Sequence, residues 1–234
     1  PMRLRVVSYN VHSFRAGWRD VAAALSALEP DLVLLQECGS RRTLLRVASL
    51  LGVEAASTAP RFPWFVPFGG IRNAVLYPRT WRPSNVESSV LSRQGRSRPR
   101  GFVAAGLRHE GVHLTVTSAH LGLAATERAR HARELTDALA SWHGNLILGI
   151  DLNEESGAPA GRWVAERLYD AFANAGDGSG GTFPARVPTA RIDYVFVGEG
   201  VTVERCWVPP DTEFESVSDH RPVVADVEIE VEGA

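Results

Sequence analysis

The sequence predicts an α/β fold in a single domain spanning residues 1–234. Two observations lead to it. The first fifty residues alternate short apolar runs with stretches of helical periodicity, a β-α-β-α order that builds a sheet covered by helices. The middle of the chain then changes to paired strand patterns around turn signals, which is antiparallel in character.

Taken in order, residues 4–9 read as a strand ending in Asn10. A Gly-containing polar loop follows. Residues 18–28 carry Val21, Leu25 and Leu28 on one stripe, as a helix requires. Pro30-Asp31 breaks that helix. Leu32-Val33-Leu34-Leu35 is a buried strand running into Gln36-Glu37, and residues 41–51 are helical again. Residues 61–77 are rich in aromatics, Pro and Gly, and end in a strand at 73–77. Residues 85–91 form another strand. Residues 92–101 hold Arg93, Arg96, Arg98 and Arg100 in a basic loop. Residues 102–107 and 112–118 make a hairpin around His109-Glu110-Gly111, the second strand running into His120. Thr126 is placed to cap an amphipathic helix over 127–142, with Ala132, Leu135, Ala138 and Leu139 inward. Leu146 to Ile150 is an apolar strand that ends abruptly in Asp151-Leu152-Asn153. A short helix over 163–168, a flexible Gly-rich loop at 176–181 and strands over 192–197, 201–208 and 223–229 complete the chain. No repeat, linker or low-complexity tract divides it.

Composition sets outer limits on function. Hydrophobic content is 44% and charged content 22%, ordinary for a globular protein. The net charge of −2 excludes a strongly basic nucleic-acid binder. All the basic side chains are Arg, the better bidentate partner for phosphate. No apolar run is long enough for a transmembrane segment. The N-terminus enters a strand pattern with no signal peptide, so a cytoplasmic setting is the default expectation, with secretion of a trimmed form as the lesser alternative. Cys38 and Cys206 show neither metal-ligand spacing nor a disulfide framework and read as core residues.

Six strand-like segments carry polar groups at or near their ends: Asn10, Glu37, His120, Asp151 with Asn153, Asp193, and Asp219 with His220. Each has a plain explanation alone. Asp151 and Asn153 could simply close their strand in an Asx turn. Extended-chain alternation would put both on one side. Asp193 is harder to dismiss, because an acid among strand formers is costly without a partner. Together they suggest one convergent site. Carboxylates and amides without a thiolate make a hard oxygen site, suited to Mg²⁺ or to Mn²⁺ in its place. Two histidines add proton transfer and anion stabilisation.

The motifs Ser8-Tyr9-Asn10-Val11, Leu35-Gln36-Glu37, Ser118-Ala119-His120-Leu121, Gly149-Ile150-Asp151-Leu152-Asn153, Arg191-Ile192-Asp193-Tyr194 and Ser218-Asp219-His220 occur in that order. This series resembles the endonuclease/exonuclease/phosphatase superfamily of deoxyribonuclease-I-like, metal-dependent phosphohydrolases. The resemblance implies a four-layer α/β sandwich, two mixed sheets packed face to face with helices outside. It also implies roles: Glu37 as principal metal ligand, helped by Asn10 and Asp219; Asp151 on the attacking water; Asn153 and His220 on the phosphate; Asp193 fixing the tautomer of His220; His120 near the leaving oxygen. Two departures stand out. His12 replaces a carboxylate found in the apurinic endonucleases, and Ile71-Arg72-Asn73-Ala74 lacks the Glu that supports the first histidine in deoxyribonuclease. Asn73 is then a candidate contact for phosphate or His120, and Arg100 a candidate phosphate contact. The arginine loop reads equally as a second-phosphate site and as a solvated surface loop. Trp64, Phe65 and Phe68 read equally as a stacking surface and as local packing.

The leading expectation is Mg²⁺-dependent hydrolysis of phosphodiesters, with nucleic acid as substrate. The alternative is a phosphatase or phospholipase acting on small phosphoesters, inositol phosphates or sphingomyelin-like lipids. A non-catalytic module that kept only the fold should have lost one of Glu37, Asp151, Asn153, Asp193 or His220, and all are present. No protein partner is indicated.

Overall fold

A computed structural model describes residues 1–58, 72–142, 145–210 and 212–231. The expectations for Phe62, Trp64, Phe65, Phe68 and Ile71 lie outside the described residues. Thirteen strands and five α-helices are described: β1 Met2–Asn10, α1 Trp18–Ala27, β2 Leu32–Gln36, α2 Arg41–Leu51, β3 Val53–Ser57, β4 Ala74–Pro78, β5 Arg82–Val90, β6 Gly101–His109, β7 Val112–His120, α3 Ala125–Leu139, β8 Asn145–Asp151, α4 Pro159–Ala165, β9 Tyr169–Asp170, α5 Ala171–Ala175, β10 Gly176–Asp177, β11 Asp193–Val197, β12 Val201–Trp207 and β13 Val223–Ile229.

They form two mixed sheets, ordered β10-β12-β13-β1-β2-β4-β3 and β5-β6-β7-β8-β11-β9. In the first, β1 runs parallel to β2 and antiparallel to β13. In the second, β8 runs parallel to β7 and antiparallel to β11. Side chains alternate between strand faces, so each buried strand feeds two different layers. Leu4 and Val6 of β1, Leu32 and Leu34 of β2, Val116 of β7, Ile147 of β8 and Val195 of β11 meet between the sheets. Val7, Tyr9, Val33 and Leu35 face the other way, against Val21 and Leu25 of α1 and Leu44 and Val47 of α2. Leu148 and Ile150 face Ala132 and Leu135 of α3 and Val164 of α4. Three apolar layers between four layers of backbone make the α/β sandwich of deoxyribonuclease-I-like proteins.

The local reasons are readable. Ser40 caps α2 by accepting from the Thr43 N–H, and Gly52 ends it with φ of +70°, a left-handed conformation that favours glycine. The expected helix over 163–168 instead starts earlier, as α4, because Pro159 occupies its first turn, where its missing N–H is not needed. Thr126 is no cap. The α3 N-cap is Ala124, and the Thr126 hydroxyl donates to Gln94 Oε1 at 3.0 Å. The elements β3, β9, α5 and β10 carry no clear sequence period and are visible only in the fold. Cys38 and Cys206 are both buried free thiols. No helix among the described residues is long and apolar enough to cross a membrane.

Candidate active site

The site lies where the layer between the sheets changes from apolar to polar. On β1 the inward series Leu4, Val6 continues to Ser8 and Asn10; on β7 Val116 continues to Ser118 and His120; on β8 Ile147 continues to Gly149 and Asp151. Asp193 begins β11 on the same face. Register sets these groups side by side, with His120 opposite Asp151 on β7 and β8, and Asp151 opposite Asp193 on β8 and β11. A polar belt supports the row from below. The Gln36 Nε2 amide donates to Ser118 Oγ at 3.1 Å, and Ser118 Oγ donates to Leu35 O at 2.7 Å. Gly149 has no side chain because a Cβ there would lie 2.6 Å from Leu34 Cβ and 2.8 Å from Ser8 Oγ. The two sheets are in close contact at that point, two residues before Asp151 on the same strand face.

Asn10 reaches across the sheets, its Nδ2 donating to Asp151 Oδ2 at 2.8 Å, while its Oδ1 accepts from the His12 N–H at 3.0 Å. The other Asp151 oxygen accepts from the Asn153 N–H at 2.9 Å. That is an Asx turn, so the structural and the chemical reading of this strand end both hold. Asn153 takes φ of +55°, and the chain is not extended through it. The turn, not strand alternation, brings Asn153 beside Asp151. Glu37, just past β2, also sits in the left-handed region at φ of +53°. Such backbone in non-glycine residues clusters at functional sites.

His220 comes from the loop before β13. Its Nδ1 lies 2.9 Å from Asp193 Oδ2, and its Nε2 faces Asp151 Oδ2 at 3.9 Å. Burial opposes the imidazolium, but the carboxylates of Asp193 and Asp151 push His220 up to about 10. Burial and the neighbouring Asp151 charge also raise Asp193. The pair therefore keeps a proton at neutral pH, which we place on His220 Nδ1. Asp151 also feels burial, yet His120, His220 and the Asn10 amide hold it well below the usual carboxylate range. Phe183 lies over the His220 ring, 4.9 Å between centroids.

The support of His120 is supplied by Arg100, not by Asn73, the candidate contact read from the sequence. Arg100 Nη1 lies 3.0 Å from His120 Nδ1 and 3.3 Å from Glu37 Oε1. A guanidinium only donates, so Nδ1 accepts and the neutral ring carries its proton on Nε2. Its acceptor is Asp151 Oδ2 at 3.1 Å, while Asn153 Nδ2, 2.9 Å from the same nitrogen, donates to Leu121 O at 2.9 Å.

A cavity of about 310 Å³ gathers Asn10, Glu37, Arg100, His120, Asp151, Asn153, Asp219 and His220. Asp193 stands behind His220. Asn73 does not line the cavity: it is fully buried, and its amide donates to Gly101 O at 2.6 Å, next to Arg100. A strand-end amide looks the same in sequence whether it faces a cavity or a neighbouring strand. The structure adds Arg98, Leu123, Phe183 and Ile192 to the lining, together with His12, whose Nδ1 is 3.1 Å from Asp219 Oδ1. Nothing in the sequence distinguishes Phe183 or Leu123 from core residues.

Two groups of donors present themselves to a cation. The ligand atoms of Asp151, Asp193 and His220 lie within 4.8 Å of one another. Yet His220 is committed to Asp193 through Nδ1, and its positive ring disfavours a metal ion. Glu37, Asp219 and Asn10 line the cavity and offer oxygen donors, the donor type a hard divalent ion takes.

Comparison with known proteins agrees with this architecture. A structure of an endonuclease/exonuclease/phosphatase from Bacteroides vulgatus superposes with a TM-score of 0.85 at 18% identity, covering 98% of this chain and 100% of that one. A mannosyl-6-phosphatase from Bacteroides thetaiotaomicron gives 0.78 at 18% identity, covering 97% and 100%. The human Nocturnin catalytic domain with a bound sulfate anion gives 0.77 at 17% identity, covering 97% and 95%. At such identities the likeness carries the fold. Among curated proteins no sequence match is significant. The sequence profile described as Endonuclease/Exonuclease/phosphatase family matches residues 7–220, nearly the whole chain, and the chain belongs to that family.

Proposed function

We propose that this protein is a divalent-metal-dependent phosphoester hydrolase, with phosphodiesters of nucleic acid as its leading substrate class. One observation carries the reading: an ionised, buried Asp151 faces the same small cavity as a histidine kept positive by its own carboxylate. A base and a cation at fixed separation suit in-line attack of water on phosphorus.

Asp151, held by Asn10 and by its own Asx turn, orients the attacking water and accepts its proton. His220, held by Asp193, donates through Nε2 to a phosphoryl oxygen. Asn153 positions the same phosphate, and His120 donates from Nε2 on the neighbouring side. Arg100 and Arg98 add positive charge along one wall. Glu37, Asp219 and Asn10 would hold Mg²⁺ or Mn²⁺. The ion, when bound, supplies Lewis-acid neutralisation of charge developing on the phosphoryl group.

A second reading has its own support. The cavity is compact, and Leu123, Phe183 and Ile192 give it an apolar side. That shape also suits a small phosphoester, such as an inositol phosphate or the headgroup of a sphingomyelin-like lipid. Hydrolysis of supercoiled plasmid, bis-p-nitrophenyl phosphate and an inositol polyphosphate, each with Mg²⁺ or Mn²⁺ and with an EDTA control, separates the two. Plasmid nicking together with diester cleavage supports the nuclease. Phosphate release from the inositol compound alone replaces it with the phosphatase. Equal rates in EDTA would overturn the metal-dependent hydrolase.

A further inference from the structure

Outside the cavity, three titratable side chains of α3 are largely removed from solvent and are used by nothing in the mechanism above. Glu127 and His131 are 2% and 1% exposed. Arg128 is half-buried beside them. Apart from the contact of Glu127 with His131 one turn on, their partners are backbone or side chains of loops that enter the site.

Glu127 Oε1 accepts from the Gln94 N–H at 3.1 Å and from Ser97 Oγ at 2.5 Å. Both residues belong to the loop between β5 and β6 that delivers Arg98 and Arg100. His131 Nε2 donates to Ser92 O at 2.6 Å in the same loop, and its Nδ1 accepts from the Gly122 N–H at 3.2 Å. Gly122 lies two residues after His120, and a Cβ there would meet Glu127 Oε2 at 2.3 Å, so glycine leaves room for the Glu127 carboxylate in this position. Arg128 Nε donates to Glu154 Oε2 at 2.7 Å, and its Nη1 bonds to Leu123 O. Glu154 follows Asn153 directly, and its Oε1 accepts from the Ala160 N–H at 2.6 Å. One turn and a half of helix thus grips the arginine loop, the loop after His120 and the loop after Asn153.

We propose that Glu127, Arg128 and His131 are positioning residues that set Arg100 against His120 and Glu37 and hold Asn153 beside them. Removing the buried Glu127 carboxylate takes away the acceptor of the Ser97 hydroxyl and leaves the Gln94 N–H only its 3.3 Å bond to Ser97 Oγ, and the loop then opens. The catalytic groups themselves stay in place, so the effect on turnover passes through Arg100.

The proposal rests on the hydrolase reading for its kinetic test, and a second test does not. In the first, Glu127→Ala lowers kcat/KM on bis-p-nitrophenyl phosphate by about 10- to 100-fold, the scale of a misplaced contact group. Glu127→Gln, whose amide oxygen still accepts, restores it to within about threefold. In an Arg100→Ala background, Glu127→Ala changes the rate by less than about threefold, because coupled residues are not additive. In the second, limited trypsin digestion after Arg93 and Arg96 of the folded protein becomes about tenfold faster in Glu127→Ala. Ser97→Ala, on the loop, removes one of the same hydrogen bonds without touching the helix and replaces Glu127→Ala should that variant not fold. Full additivity with Arg100→Ala, or unchanged tryptic cleavage, would overturn the proposal. A wild-type protein that hydrolyses none of the phosphoesters removes the hydrolase reading alone, because digestion still decides the clamp.

Discussion

Asn10 on one sheet donates a 2.8 Å hydrogen bond to Asp151 on the other. This bond closes the polar end of the sandwich and leaves the carboxylate with no freedom to turn away from the cavity. Both residues are at the end of a strand whose earlier inward side chains are core, so the apolar packing of the sheets sets the geometry of the candidate chemistry.

Asp151→Asn should keep the fold and lose turnover. The amide can still accept from Asn10 or from the Asn153 N–H, but it cannot take a proton. Expected loss in kcat is on the order of 10²- to 10⁴-fold, with a thermal midpoint close to that of the wild type. Turnover at the wild-type rate would remove Asp151 from the proposed role.

Asp193→Asn tests the second pair. Without the carboxylate, His220 loses its strongest reason to remain an imidazolium. We expect kcat to fall by about 10²-fold with KM little changed, as when one anion-stabilising donor is lost. A variant that raised KM alone would instead make Asp193 a contributor to ground-state binding.

Metal binding should appear as stabilisation. A ligand at 100 times its Kd adds about 2.7 kcal/mol to folding. The thermal midpoint should therefore climb as MgCl₂ or MnCl₂ is added and return with EDTA, and Glu37→Gln should flatten the response. A full response in Glu37→Gln would move the ion to other ligands.

The α3 clamp has a pH signature. Burial lowers His131 below its ordinary value of 6.5. The unfolded chain then takes up a proton at a pH where the folded chain does not, so stability declines as pH falls through 6.5. Glu127 acts in the same sense at lower pH. Burial works against its charge, but Ser97 and Gln94 hold it below 4.5, so its contribution is present above that value and lost as pH falls through the lowered one. Glu134 and Arg130, which also face His131, are retained in the comparison. Replacing His131 by Gln should reduce the drop in thermal midpoint between pH 7 and 5.5; an unchanged drop would assign it to other groups.

Gly149→Ala should destabilise the protein, because Leu34 and Ser8 leave no room for a methyl group between the sheets. A loss of about 1–3 kcal/mol is expected from overpacking, measurable by urea unfolding. Wild-type stability would mean that the sheets separate locally at little cost.

Much of the fold was legible because burial leaves a period in the sequence. The apolar runs ending in Gln36-Glu37, His120 and Asp151 gave strands of nearly the observed length, and α2 fell over the expected residues. The residues of the candidate cavity were legible for a related reason: a strand that ends in an unpaired polar group draws attention when six do so in a fixed order. Asn73 shows the limit. It stands at the start of an apolar strand as Asn10 stands at the end of one, yet it turns into the protein and its amide donates to Gly101 O.

By itself the sequence determined the α/β class, the order of the main strands and the set of polar groups at their ends, since these follow from local periodicity and composition. Only the tertiary structure decided which of those groups meet. Sheet register put His120, Asp151 and Asp193 in one row. Packing of the two sheets brought Asn10 to Asp151, and the loop between β5 and β6 brought Arg100 beside His120. Contacts between residues far apart in the chain depend on how whole layers pack, and no local pattern encodes them.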